Sequence, residues 1–136
     1  MVREKEGDDL GRHLDEQTVT GSAESLLAFE NAPLGLAVIL PLGRIAMANR
    51  AARRLLGYEL NELVGKFVYD VVVREHEQRS WAERVESGET ATAEHRLRLR
   101  CKDGGEVPAR GSSLLVLDSH GCVRYVIARA VPDPPR

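Results

Sequence analysis

The stretch Glu94-His95-Arg96-Leu97-Arg98-Leu99-Arg100-Cys101-Lys102-Asp103-Gly104-Gly105 decides the architecture. His95, Leu97, Leu99 and Cys101 alternate with Glu94, Arg96, Arg98 and Arg100. Successive side chains of a strand point to opposite faces, so this period of two marks a half-buried strand. Lys102-Asp103-Gly104-Gly105 then supplies a hairpin turn. Val107 to Leu117 reads as the next strand, and Asp118-Ser119-His120-Gly121 as the next turn. Val123 to Val131 is the third strand of this meander. Pro132, Pro134 and Pro135 end it, and residues 132–136 read as the start of a linker.

Upstream of this meander the period is helical. Glu75 to Glu86 is expected to be a helix, with Trp81 and Val85 on one face and charges filling the rest. Ser87-Gly88 stops it. Phe67 to Val73 is apolar and fits either a strand or a short helix. Glu59 to Val64 is a helical turn closed by Gly65. Asn49 is a good N-cap for a helix from Arg50 to Leu56, and Gly57 stands at its C-cap position. Leu34 to Leu40 reads as a buried strand, Pro41-Leu42-Gly43 as a turn, and Arg44 to Ala48 as the returning strand. Ser22 opens an earlier helix carrying Leu26, Leu27 and Phe29, and Pro33 ends it. Residues 1–20 are polar and charged and are expected to be a flexible tail. The order is two strands, several short helices, then three strands. A five-stranded antiparallel sheet with helices on one side satisfies it, an α+β arrangement over residues 21–131.

Composition narrows the function classes. The 136 residues make one domain with room for a core. A net charge of −2 lacks the basic excess of general nucleic-acid binding. No apolar run approaches a membrane span, and the charged N-terminus lacks a secretory core, so the cytoplasm is the expected compartment. Aromatic residues are only 4% of the chain, so an interior cavity would be walled mainly by aliphatic side chains.

The element order and its turns resemble the PAS family. The residues that carry the resemblance run from Phe29-Glu30-Asn31-Ala32-Pro33-Leu34-Gly35 to Lys102-Asp103-Gly104. Between them stand Gly43-Arg44-Ile45, Ala48-Asn49, Leu56-Gly57-Tyr58, Glu62-Leu63-Val64-Gly65-Lys66 and Ser87-Gly88-Glu89. The resemblance covers roughly residues 22 to 131. It implies a PAS fold with an N-terminal cap helix, and a ligand or packed core held between the inner sheet face and the middle helices. It also implies a homodimer that relays its state to a C-terminal effector. The arginine- and alanine-rich usage suggests a bacterial source. There such modules accompany histidine kinases, cyclic-dinucleotide enzymes, or the phosphatase and kinase regulators of alternative sigma factors.

Catalytic chemistry finds no foothold in the residues. Ser112 and Ser113 lack a Gly-x-Ser-x-Gly turn and His and Asp partners, and there is no phosphate-binding glycine loop. A non-enzymatic binding module is expected, with no metal site. His76 is the one histidine placed where some haem-binding PAS domains carry their axial ligand, with Arg79 and Arg84 as propionate partners. Its polar neighbours Glu75, Glu77 and Gln78 favour a solvated residue instead. Flavin-thiol photochemistry is disfavoured because no cysteine precedes Cys101. Cys101 and Cys122 are separated by a whole strand, too far for the roughly 7 Å that a disulfide permits. Arg96, Arg98 and Arg100 form either a docking stripe for an acidic partner or a solvated face paired with nearby glutamates.

The interior is the candidate site. Leu36, Val38, Met47, Leu55, Leu63, Phe67, Val71, Trp81, Val85, Leu97, Leu99 and Leu115 are expected to face the space between sheet and helices. They either pack on one another or enclose an elongated apolar ligand such as a fatty acid, whose carboxylate would need an arginine or backbone N–H. Leu26, Leu27 and Phe29 are the candidate dimer contacts.

Overall fold

The computed structural model describes residues 23–73 and 81–133. Its chain divides into two units, residues 1–31 and 32–136. The described part of the first unit is the helix α1, residues 23–31, in which the Asn31 amide donates to the Leu27 carbonyl at 3.0 Å.

The second unit begins with β1 (Gly35–Ile39) and β2 (Ile45–Ala48), an antiparallel pair. Gly43 turns the chain between them at φ 98°, a left-handed conformation open to glycine because it lacks a Cβ. Among the described residues four short helices follow: α2 (Arg50–Leu56), α3 (Leu60–Leu63), α4 (Val68–Val71) and α5 (Trp81–Ser87). The apolar segment after Phe67, which the sequence left open between strand and helix, is a helical turn flanked by isolated bridges. Phe67 pairs with Arg44 and Val72 pairs with Leu99. The expected helix from Glu75 is present as α5 from Trp81, and residues 74–80 lie outside the described part.

The meander is β3 (His95–Arg100), β4 (Glu106–Leu117) and β5 (Val123–Pro132). The sheet order is β2-β1-β5-β4-β3, antiparallel at every pairing. The chain's first strand therefore lies beside its last, and both hairpins flank that central seam. β5 runs through Pro132, one residue beyond the expected end, and Asp133 donates its N–H to the Pro108 carbonyl. A proline is tolerated at a strand's end, where its missing N–H breaks no ladder.

Of the rows of side chains that cross the inner sheet face, three differ sharply in size. Gly35, Ala130, Gly111 and His95 stand in one row, and Ala37, Ala128 and Ser113 in the next. Ile39, Val126 and Leu115 form the third, and all three are buried. The bulky row joins Ile45, Leu56, Leu63, Val68, Val71 and Leu99 in one hydrophobic core. The two small rows bring backbones close. A Cβ on Gly35 would stand 3.2 Å from the Cα of Ala52, so α2 lies almost directly on β1. A Cβ on Gly111 would stand 2.5 Å from the Arg129 carbonyl oxygen and 2.9 Å from a Leu97 methyl. Gly111→Val is therefore expected to destabilise the domain by about 3 kcal/mol, since neither backbone nor a packed leucine yields cheaply. Urea denaturation would show it, and an unchanged midpoint would mean that β4 and β5 separate freely here.

Candidate functional site

Asn49 organises the entrance to the helical layer. It is 0% exposed. Its Oδ1 accepts from the Ala52 N–H at 3.0 Å, which caps α2, and from the Leu36 N–H at 2.9 Å. Its Nδ2 donates to the Leu34 carbonyl at 2.9 Å. One amide thus fastens the start of β1 to the start of α2. Gly57 closes the helix at φ 82°.

Between the sheet's inner face and the helices lies a cavity of about 570 Å³. The strands contribute Gly35, Ala37, Ile39, Leu97, Leu99, Ser113, Val126, Ala128 and Ala130 to its wall. The helices contribute Ala52, Leu55, Leu56, Leu63, Val68, Val71 and Arg84. The space exists because glycine, alanine and serine pave the sheet opposite the helices. Larger side chains there would fill it.

One end of the cavity is polar. Arg84 is only 6% exposed although it carries a guanidinium. Its Nη1 donates to Ser113 Oγ at 2.9 Å, its Nε to the Glu89 carbonyl at 3.2 Å, and its Nη2 to the Thr90 carbonyl at 3.2 Å. These bonds clamp the end of α5 to the segment before β3 and to β4. Ser113 N–H also donates to Thr92 Oγ1 at 2.8 Å. Glu89, Thr92, His95, Ser112 and Arg129 complete this side of the wall. Arg129 pairs with Glu94 at 3.2 Å.

The candidate ligand residues divide. Leu36, Leu55, Leu63, Val71, Leu97 and Leu99 are in the cavity wall. Val38, Met47, Phe67, Val85 and Leu115 are not among the lining residues. Leu115 is buried in the core, and Val85 is half-buried against it. Val38 and Met47 pair with each other, and Val38 pairs with Ile127, which pairs with Leu114. That row alternates with the inward Ala37 and Ile39, so it belongs to the other sheet face. Phe67 is 43% exposed, with the Arg44 guanidinium 4.0 Å above its ring. Trp81 opens α5, but its side chain, like His76 as a whole, lies outside the described residues. In the sequence Arg84 stands out only as a haem propionate partner. Its three-residue spacing from Trp81 puts it on the helix face already assigned inward, and that was the available signal.

The other candidates are quieter. The Cys101 thiol donates to the Leu55 carbonyl, burial and the nearby Asp103 raise its pKa, and Cys122 is exposed; both thiols are free. Arg98 and Arg100 pair with Glu106, and Arg96 with Asp133, so the basic stripe has acidic neighbours. Among the described residues no cluster of His, Cys, Asp and Glu is placed to hold a metal, and no helix is long and apolar enough to cross a membrane.

Lys102 binds Glu62 and so ties the β3–β4 turn to α3. The lysine's hydrogen bond, then the Glu59 N–H, lower the Glu62 pKa below its ordinary 4.5, and the carboxylate raises that of Lys102. A depressed carboxylate stabilises the fold above its unfolded value, and this contribution is lost as pH falls through the folded one. Glu62→Gln is thus expected to flatten the acid limb of stability below pH 4.5. Urea midpoints at neutral and acid pH check this; parallel curves for the two proteins would refute it.

Residues 29–132 match the sequence family described as the PAS fold. The chain belongs to that family. Solved structures agree on the architecture. A PAS domain from Colwellia psychrerythraea superposes with a TM-score of 0.73 at 18% identity, covering 84% of this chain and 98% of that one. A PAS domain from a two-component sensor histidine kinase gives 0.67 at 16% identity, over 87% and 99% of the chains. The PAS domain of an HTR-like protein from Haloarcula marismortui gives 0.65 at 16% identity, over 90% and 99%. No curated protein matches the sequence significantly.

Proposed function

We propose that this domain is a non-enzymatic sensory and dimerisation module of a bacterial signalling or transcription-regulatory protein. It takes a small apolar ligand, such as a fatty acid, into the central cavity and relays occupancy to a C-terminal effector. The observation that carries this reading is the cavity of about 570 Å³, walled by aliphatic side chains and floored by small ones. That volume falls within the range of small-molecule sites, about 300–1,000 Å³. Its aliphatic wall suits a flexible chain better than a flat cofactor, which would call for aromatic stacking or a metal ligand. Native mass spectrometry of the purified domain tests the reading. A bound lipid, or saturable uptake of one after extraction, supports it, and neither appearing would sink it. Haem held by His76 is the competing occupant, and a Soret band after haem reconstitution would favour it.

The likeness to the PAS domain of a sensor histidine kinase supports a role in signalling. A sigma-factor regulatory phosphatase or kinase is the effector we favour, and co-purification of the domain with its signalling partner would identify it. Dimerisation is supported by the row Met47, Val38, Ile127 and Leu114, which crosses four strands on the face away from the cavity. Leu26 and Leu27 of α1 are exposed, and with the half-buried Phe29 they would meet such a face on a second copy. Sedimentation with and without residues 1–30 decides it: an unchanged monomer–dimer balance rejects the role of α1.

A further inference from the structure

The polar end of the cavity bears on the head group of its ligand, given the reading of the cavity as a ligand site. Arg84 is buried there, and every nitrogen of its guanidinium already donates to the protein. Nε donates to the Glu89 carbonyl, Nη2 to the Thr90 carbonyl and Nη1 to Ser113 Oγ at 2.9 Å. Thr92 Oγ1 is engaged as well, accepting from the Ser113 N–H at 2.8 Å and donating to the Ser113 carbonyl at 3.4 Å. Ser113 itself is different. It lines the cavity from the inner row that it shares with Ala128 and Ala37. Its Oγ accepts from Arg84, while its own hydroxyl hydrogen has no acceptor among the described residues. A serine hydroxyl accepts and donates at once, and accepting from a cation strengthens what it donates.

We infer that the Ser113 hydroxyl is the head-group contact of the cavity. It donates to one uncharged carbonyl oxygen, as in an alkyl ketone, an ester or an un-ionised fatty acid, and the chain lies over Ala128 and Ala37. Arg84 stays engaged with the protein throughout. An ionised head group would bring a charge and two oxygens to a single hydroxyl, which leaves part of it unserved.

Two probes of equal shape test this on the intact chain: decan-2-one, isotope-labelled at its carbonyl, and 2-methyldec-1-ene, which carries a methylene in place of the oxygen. The infrared carbonyl band of the bound ketone is expected below its position in hexane, and Ser113→Ala is expected to return it to the hexane position. In calorimetric titration Ser113→Ala is expected to weaken the ketone about tenfold, as a hydrogen bond lost in a dry site implies, and to leave the alkene within about twofold. Ser113→Thr keeps a hydroxyl and is expected to keep the shifted band. A bound ketone with its band at the hexane position in the native domain would overturn the head-group assignment while leaving the cavity reading intact. A shifted band that survives in Ser113→Ala, or equal losses for the two probes, would overturn it too. Binding of neither probe would remove both readings. The infrared measurement on native protein stands even if a variant fails to fold.

Discussion

Asn49→Ala is expected to lower the stability of the domain by about 3 kcal/mol, an unusually large effect for trimming one amide. The reason lies in the three backbone groups that the side chain serves. The Ala52 N–H loses its helix cap, worth about 1 kcal/mol. The Leu36 N–H and the Leu34 carbonyl lose their partners in a partly buried place, at about 1 kcal/mol or more each. Asn49→Ser keeps a capping oxygen but is too short to reach Leu34 as well, so it should lose about half as much. Urea denaturation monitored by circular dichroism would measure both, at unchanged m-value. A loss under about 1 kcal/mol for alanine would show that water replaces the amide. The link between β1 and α2 would then be ornamental.

Ala128→Phe is expected to cut binding of an alkyl ligand by at least about thirtyfold while shifting stability by less than about 1 kcal/mol. Ala128 stands on the central strand β5 with Ala37 and Ser113 beside it, and all three line the cavity. A ring added to a packed core costs about 1–3 kcal/mol through strain. Here it enters existing space and gains contacts instead, which offsets much of that cost. The two readouts together are diagnostic. Lost binding with retained stability places the ligand over Ala128. A loss of 3 kcal/mol or more would mean that the space is not available to a side chain. Undiminished binding would put the ligand elsewhere and remove the basis for the proposed function.

Much of the fold was legible because its signals are local. The α2 boundaries follow from a capping Asn49 and a left-handed Gly57, both determined within one helix length. The alternation of β3 and the glycines of its turn needed no distant partner. The candidate site was less legible. Leu34 to Leu40 is apolar at almost every position, so no alternation says which parity faces inward. Leu36 and Val38 are both expected inward from the sequence. The structure turns Ala37 and Ile39 inward and Val38 to the other face, while Leu36 at the start of the strand also reaches the cavity wall; a bulge in the β1–β2 ladder falls between Val38 and Ile39. Slipping by one residue exchanges the two faces of a strand, and only pairing across the sheet settles it.

The amino-acid sequence by itself determined the order of elements, their caps and turns, and an interior poor in aromatic rings. Each depends on residues within a few positions of one another. Tertiary structure alone decided the cavity and its polar end. The pavement of Gly35, Ala37, Ser113, Ala128 and Ala130 joins β1 near the start of the fold to the β4–β5 hairpin at its end, brought into register by the β1–β5 and β4–β5 ladders. Glycine and alanine announce no binding site in a sequence, because what they contribute is the space that larger side chains would have occupied. Arg84 likewise stands between Glu83 and Glu86 in the sequence, and the packing of α5 against β4 is what buries it.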